Sequence, residues 1–308
     1  MKLSFGILFF STLAFGLSYR PGTDRFELTY KVTIPALGEK ETGKLWIPIA
    51  ASDEYQTVEL KPELGALSAK NDTDTDFANR AKVVTFTKAD AGKTLTFTYD
   101  VARQERGATA AKAGSHALDL RAEPLVPLSP RFKAIADKVT AGKNSDLEKG
   151  RAIYDYVLST MKYDKSGDGW GRGDAVYACD VKTGNCTDFH ALFIAVARSA
   201  KIPSRFAVGF TIPAEPNGGK VEGYHCWAEF LADGKWTPVD ISEAWKHPEE
   251  KDYFFGHHPA NRFEMSHGRF LRFADSPKDG PINFLVHPQL EVDGKTKKFA
   301  AETTFRRK

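Results

Sequence analysis

The chain has 308 residues, 42% hydrophobic and 27% charged, ordinary values for a globular protein of roughly two domains. Its 43 basic and 40 acidic residues leave a formal net charge of +3, which gives no argument for nucleic acid or an anionic membrane surface as partner. Three cysteines is an odd number, so one thiol stays free or pairs between chains. At the N-terminus Lys2 precedes an almost wholly apolar run from Leu3 to Leu17, with Phe9, Phe10, Leu13 and Phe15 inside it. Small residues follow at signal-peptidase spacing in Ala14-Phe15-Gly16 and Gly16-Leu17-Ser18. A run of about 15 apolar residues is short for a membrane span. Residues 1–18 are therefore expected to be a removed signal peptide, in preference to an uncleaved anchor. The mature protein is expected to be secreted or periplasmic, without stable membrane insertion.

Residues 24–110 read as an antiparallel β-sandwich. Phe26, Leu28, Tyr30, Val32 and Ile34 alternate with other residues, as do Leu95, Phe97, Tyr99 and Val101, the period of half-buried strands. Leu45, Ile47 and Ile49 repeat the pattern, and Pro48 among them suggests an edge strand. Val83, Val84 and Phe86 mark another strand, Val58 and Leu60 a weaker one, and Asn71 to Asp76 a polar loop. Residues 104–124 have the Ala, Gly and Arg content of a linker.

A region from 125 to 275 follows, helices first and then strands, the order of an α+β domain. Ser129-Pro130 and Gly142 bound a first helix with Phe132, Ile135, Ala136 and Val139 on its apolar face. Ser145 and Glu148 form a capping-box pair for a second, with Tyr154, Val157, Leu158 and Met161 buried. Gly167 to Gly173, carrying Trp170 and Arg172, is a loop. A third helix starts near Cys186, with Asn185 as N-cap, Asp188 at N3 and Phe189, Leu192, Phe193, Val196 and Ala200 on its apolar face; Ile202-Pro203 closes it. Strands are predicted over Arg205–Thr211, Tyr224–Leu231 and Trp236–Ile241. Residues 276–308 are expected to add C-terminal strands, one of them through Phe284, Leu285 and Val286.

The chemistry concentrates at Cys186. A thiol at a helix N-terminus meets unpaired N–H groups and the positive end of the helix dipole, both favouring the thiolate. His225 and Asp240 lie on successive predicted strands joined by an Asp233-Gly234 hairpin signal, so the two side chains can stand together against the helix tip. Cys226 adjoins His225 and on a regular strand faces the other way. A nucleophile, a base and an orienting carboxylate are the set thiol acyl transfer needs. If Cys186 is the reactive thiol, Cys179 and Cys226 remain as a candidate disulfide.

Gly184-Asn185-Cys186-Thr187-Asp188, the helix after it, Ile202-Pro203-Ser204-Arg205, Tyr224-His225-Cys226-Trp227-Ala228-Glu229 and Pro238-Val239-Asp240 together resemble the transglutaminase-like superfamily of papain-type thiol enzymes, in a bacterial exported form. The resemblance implies a helix-plus-sheet core with the cysteine at the helix tip, and a catalytic triad at the positions matching Cys186, His225 and Asp240. A tryptophan upstream of the cysteine supports the oxyanion in classical members. Trp170 is the candidate here, with Asn185 and Tyr177 as alternatives beside the Cys186 backbone N–H.

Other readings compete. Cys186 could be a buried small hydrophobe, and Asp240 a turn residue beside Ser242. Cys179, Cys186, His190, His225 and Cys226 allow a zinc reading, with Cys186 and His190 at a helical ligand spacing, yet no C-x-x-C or H-E-x-x-H pattern is present. No metal and no other cofactor is expected. His247, His257, His258 and His267 read as solvated loop histidines, and Arg262 and Arg269 as surface charges. Trp227, Trp236, Trp245, Tyr253, Phe254 and Phe255 read as core or cleft wall. The segment 244–263 exceeds a minimal hairpin connection and could border the substrate groove. The expected function is a thiol-dependent acyl-transfer enzyme acting on amide or peptide bonds of a protein or peptide, with the cell envelope as a setting. A peptidase or amidase is favoured because no calcium-loop signature accompanies the site. The alternatives are a protein-glutamine transglutaminase with an amine acceptor and a non-catalytic binding or scaffold protein.

Overall fold

The computed structural model describes residues 22–308, so the expected signal peptide lies outside the described residues. The first half holds β1 (Thr23–Thr33), β2 (Thr42–Ile49), β3 (Gln56–Glu63), β4 (Lys70–Thr73), β5 (Arg80–Thr87), β6 (Thr94–Gln104) and β7 (Thr109–Ala110). Then come α1 (Pro130–Val139), α2 (Asp146–Thr160), β8 (Lys162–Tyr163), α3 (Ala175–Val181), β9 (Thr183–Gly184) and α4 (Cys186–Ser199). The rest comprises β10 (Ser204–Thr211), β11 (Gly219–Lys220), β12 (His225–Ala232), β13 (Lys235–Val239), α5 (Ile241–Lys246), β14 (Arg262–His267), β15 (Gln289–Val292), β16 (Lys295–Lys297) and β17 (Glu302–Arg307). Among the described residues no helix is long and apolar enough to cross a membrane.

Two antiparallel sheets make the sandwich, in the orders β11-β17-β1-β6-β3 and β16-β15-β2-β5-β4. Alternation explains them: Phe26, Leu28, Tyr30 and Val32 from β1 and Leu95, Phe97, Tyr99 and Val101 from β6 are fully buried, while their sequence neighbours are not. They share one core with Leu45 and Ile47 of β2 and Val84 and Phe86 of β5. Both ends of the chain contribute, since β17 pairs with β1 in the register Leu28↔Phe305, and β15 with β2 in the register Leu290↔Leu45.

Three local expectations change. The strand carrying Pro48 is interior; β15 pairs with β2 only from Gly43 to Trp46, so beyond that point proline forfeits no partner on that side. The polar stretch 71–76 contributes to β4, an edge strand where exposed polar side chains are tolerated. Leu285 and Val286 are buried without forming a strand, and their carbonyls accept hydrogen bonds from Ser266 Oγ and Tyr30 Oη.

The second half is a sheet in the order β14-β10-β12-β13-β7, with helices around α4. All fourteen residues of α4 are buried, so it is a central helix packed on every side by α1, α2, α3, α5 and the sheet. Phe193 meets Phe230 of β12 edge to face with ring centroids 5.8 Å apart, which fixes α4 across the strand that begins with His225. On the neighbouring strand Gly209 stands opposite His225, and the pairing of β10 with β14 slips between Val208 and Gly209. A Cβ at Gly209 would overlap the main-chain carbonyl of Phe263. Gly209→Ala is therefore expected to destabilise the fold by about 2–3 kcal/mol, because backbone rather than a flexible side chain must move. A urea midpoint equal to that of the unmodified protein would refute the close approach.

Candidate active site

Cys186 is the first residue of α4 and 2% exposed. The turn before it is held by side chains. Asn185 Oδ1 accepts from Thr187 N (2.9 Å), and Asp188 Oδ2 accepts from Asn185 N (3.0 Å). Asp188 also accepts from Gly171 N (2.7 Å) and Gly173 N (3.2 Å), so one carboxylate at N3 ties the glycine loop to the helix tip. Tyr224 Oη lies 2.8 Å from Thr187 Oγ1 and accepts from Asn185 Nδ2 (3.2 Å). Asn185 thus spends its Oδ1 and one hydrogen of its Nδ2 on local structure, and the second Nδ2 hydrogen is left over. The Cys186 N–H belongs to the first helical turn, whose N–H groups have no intrahelical acceptor and point outward.

His225 opens β12, and its Nε2 lies 2.6 Å from Asp240 Oδ2. Its other nitrogen, Nδ1, is left for Cys186, whose sulfur is among the groups that raise the pKa of His225. Asp240 sits one residue past β13 and caps α5, a helix absent from the strand predicted there. Its Oδ1 accepts from Glu243 N and Ser242 Oγ, each at 3.1 Å, and Arg262 Nη2 stands 3.5 Å from Oδ2.

These neighbours set the charges. Burial opposes ionisation of Asp240, but His225 and Arg262 outweigh it and hold the carboxyl well below its usual range. Burial also opposes the imidazolium of His225, and Asp240 overrides it, raising the pKa to about 9. The Cys186 thiol falls well below its ordinary value, first through a hydrogen bond from Cys226 and then, against burial, through His225. Cys226, raised by burial and by the adjacent Cys186, keeps its proton. The pair is therefore best described as thiolate at 186 and thiol at 226, since only Cys186 has the helix tip and the imidazolium beside it.

As expected, Cys226 faces the other way from His225: it shares the helix side of β12 with Phe230, its Sγ 3.6 Å from Thr187 Oγ1 and 3.9 Å from His190 Nδ1, while the His225 ring stands beside Trp227. The disulfide expected from Cys226 is corrected. All three cysteines are free, and Cys179 on α3 is no partner of Cys226.

Arg262 and Arg269 are buried instead of superficial: Arg262 bonds Glu243 Oε2 (3.1 Å), and Arg269 donates to the carbonyls of Gly173 (2.7 Å) and Arg172 (3.0 Å) from behind the glycine loop. His258 is fully buried with its ring edge-on to Trp227, centroids 5.1 Å apart. Among the described residues no group of three or more His, Cys, Asp or Glu side chains is arranged to hold a metal ion. Trp170 is half-buried in the glycine loop beside Gly171. Tyr177 is on α3, where its ring approaches Gly169. Asp188, Tyr224 and Arg262 carry no site role in the sequence reading, and His190 enters it only as a zinc-ligand candidate. The N3 position of Asp188 was the one legible signal among them. A cavity of about 510 Å³ lined by Tyr55, Arg106, Arg205, Trp236, Glu264 and His267 includes none of Cys186, His225 and Asp240.

Residues 133–241, from α1 to the start of α5, match the family model of the transglutaminase-like superfamily core. This part of the chain is a transglutaminase-like domain, and the preceding strands with their C-terminal partners form the sandwich beside it. An uncharacterized protein of Haemophilus influenzae is 28% identical over 316 residues, covering 87% of this chain and 85% of that one. A crystal structure named as a "Putative Cysteine Protease" from Cytophaga hutchinsonii superposes with a TM-score of 0.58 at 13% identity, over 95% of this chain and 100% of that one. The periplasmic domain of TgpA from Pseudomonas aeruginosa is similar at 15% identity and a TM-score of 0.41, over 75% of this chain and 94% of that domain.

Proposed function

We propose that the protein is an exported thiol hydrolase that cleaves amide or peptide bonds of a protein or peptide substrate in the cell envelope. The observation that carries the reading is His225, bonded to Asp240 at 2.6 Å and paired electrostatically with Cys186 at the tip of α4, each favouring the charged form of the other. In this reading the Cys186 thiolate attacks the carbonyl carbon, and the oxygen that becomes negative is met by the Cys186 N–H, with Trp170 and Asn185 as supporting candidates. The imidazolium of His225 gives its Nδ1 proton to the leaving amine as the C–N bond breaks, leaving a thioester on Cys186. His225, now neutral, takes a proton from water as the oxygen attacks. The C–S bond breaks and the thiolate–imidazolium pair is restored. Asp240 keeps the ring turned toward sulfur throughout. Its ion pair with His225 contributes stability and activity below the ordinary histidine pKa, and both are lost as pH rises through about 9. The rate constant kcat/KM is accordingly expected to fall above about pH 9.

The test is capture of the acyl-enzyme. Peptide mixtures are mixed with the protein, quenched in acid and examined by intact mass. A hydroxylamine-labile adduct on Cys186, missing from Cys186→Ala, is expected. A glutamine-containing protein offered with a fluorescent amine then reports the acceptor. Incorporation dependent on Cys186 would replace hydrolysis by amine transfer. Absence of any adduct, with Cys186 alkylated no faster than a free thiol, would leave a binding protein on the same fold.

A further inference from the structure

His190 is fully buried on α4, one turn after Cys186, and nothing in the reaction above uses it. Its Nδ1 lies 2.7 Å from the carbonyl oxygen of Cys186, and its Nε2 accepts the main-chain N–H of Ile241 at 3.1 Å. The two bonds determine the tautomer. An N–H can only be donated to a lone pair, so Nε2 is bare, and Nδ1 carries the proton that Cys186 O accepts. A doubly protonated ring would set two donors against each other at Ile241. Burial, which pushes the pKa of His190 down, agrees with the neutral form. The titratable groups around the ring are Cys186 on its own helix, Asp240 at the start of α5, with Oδ1 4.0 Å from Nε2, and His225 and Cys226 on β12.

One rigid ring therefore joins the main chain of Cys186 to the main chain of the residue directly after Asp240. His225 joins the same two places through side chains. The two helices also pack directly, but among the described residues the His190–Ile241 bond is the only hydrogen bond between α4 and α5. We propose that His190 is a positioning residue that sets the spacing between the nucleophile and the orienting carboxylate; this rests on the thiol-enzyme reading. It touches no reacting atom. Its effect passes through the angle at which Asp240 presents His225 to the sulfur.

Three variants test the idea: His190→Ala, His190→Asn and His190→Gln. Asparagine keeps a donor at the Nδ1 position for Cys186 O but is too short for Ile241. Glutamine keeps an acceptor near the Nε2 position but leaves Cys186 O unmatched. The readouts are the iodoacetamide alkylation rate of Cys186 from pH 5 to 8, and thermal unfolding of the same samples. His190→Ala is expected to alkylate roughly tenfold more slowly at pH 6, with the pH midpoint moved up toward that of an ordinary thiol. The Asn and Gln variants are expected to fall between it and the unmodified protein. A variant that melts earlier yet keeps the rate and midpoint of the unmodified protein would reduce His190 to a packing role and overturn the proposal. Should His190→Ala not fold, the Asn and Gln variants decide by the same criterion. If Cys186 of the unmodified protein itself reacts as an ordinary thiol, the enzyme reading falls first and this inference with it.

Discussion

His225→Ala is expected to slow alkylation of Cys186 at pH 6 by at least about tenfold, and to lower turnover of any substrate by roughly a thousandfold. Two effects combine in the alkylation rate. Loss of the imidazolium removes a hydrogen bond and a full positive charge beside the sulfur, both of which favour the thiolate against its burial. The remaining thiolate is more basic and intrinsically more reactive, which recovers part of the loss and keeps the estimate modest. The hydrogen bond from Cys226 survives the substitution, so the thiol keeps part of its depression. The double variant with Cys226→Ala should move the midpoint further. Turnover suffers more because the leaving amine loses its proton donor. A rate profile over pH 5 to 8 for the two variants and the unmodified protein measures all of this. Superimposable profiles would mean that His225 does not act on the sulfur.

Arg262→Met is expected to cost about 3–5 kcal/mol of stability at neutral pH. The guanidinium is fully buried, 3.1 Å from Glu243 and 3.5 Å from Asp240, and donates to Asn261 Oδ1 at 3.0 Å. Methionine fills the stem but leaves two carboxylates at the start of α5 facing each other with less compensation. Both Asp240 and Glu243 lie below their ordinary pKa: burial raises each, and His225 and Arg262 for the first, Arg262 and His225 for the second, bring it down. Groups depressed in this way contribute stability above the unfolded carboxylate range and lose it as pH falls through their folded values. The loss from Arg262→Met should therefore be large at pH 7 and shrink below about pH 4, where the carboxylates take up protons. Urea unfolding at pH 7 and at about pH 3 checks the sign. An equal loss at the two values would assign the effect to packing alone.

Strands with strict alternation, such as β1 and β6, were legible because every second side chain is buried. So were α1, α2 and α4, whose starts carry Ser129-Pro130, the Ser145–Glu148 box and the Asn185–Asp188 pair. α5 was not, since six residues are too few for a period to develop and Asp240 does double duty as cap and ligand of His225. The residues that converge at the helix tip could be named from their types and order. The buried histidine and arginine behind them could not. Polar residues packed inside differ from solvated ones only in their neighbours, and His190, Arg262 and Arg269 find theirs across 51, 19 and 96 positions of sequence.

The last strand, β17, lies between β1 and β11, and Val221 N donates to Thr303 O at 2.9 Å only four residues before His225. Arg307 adds an ion pair with Asp24 and a bond to the carbonyl of Pro213. The polypeptide's tail thus moors the segment that delivers the imidazole. A molecule clipped ahead of Glu302 would retain the sulfur and its helix while losing the tether that aims their proton carrier. It would also bare a long hydrogen-bonding rim on β1, inviting self-association. Limited digestion from the C-terminal side should consequently silence the thiol before it melts the helices.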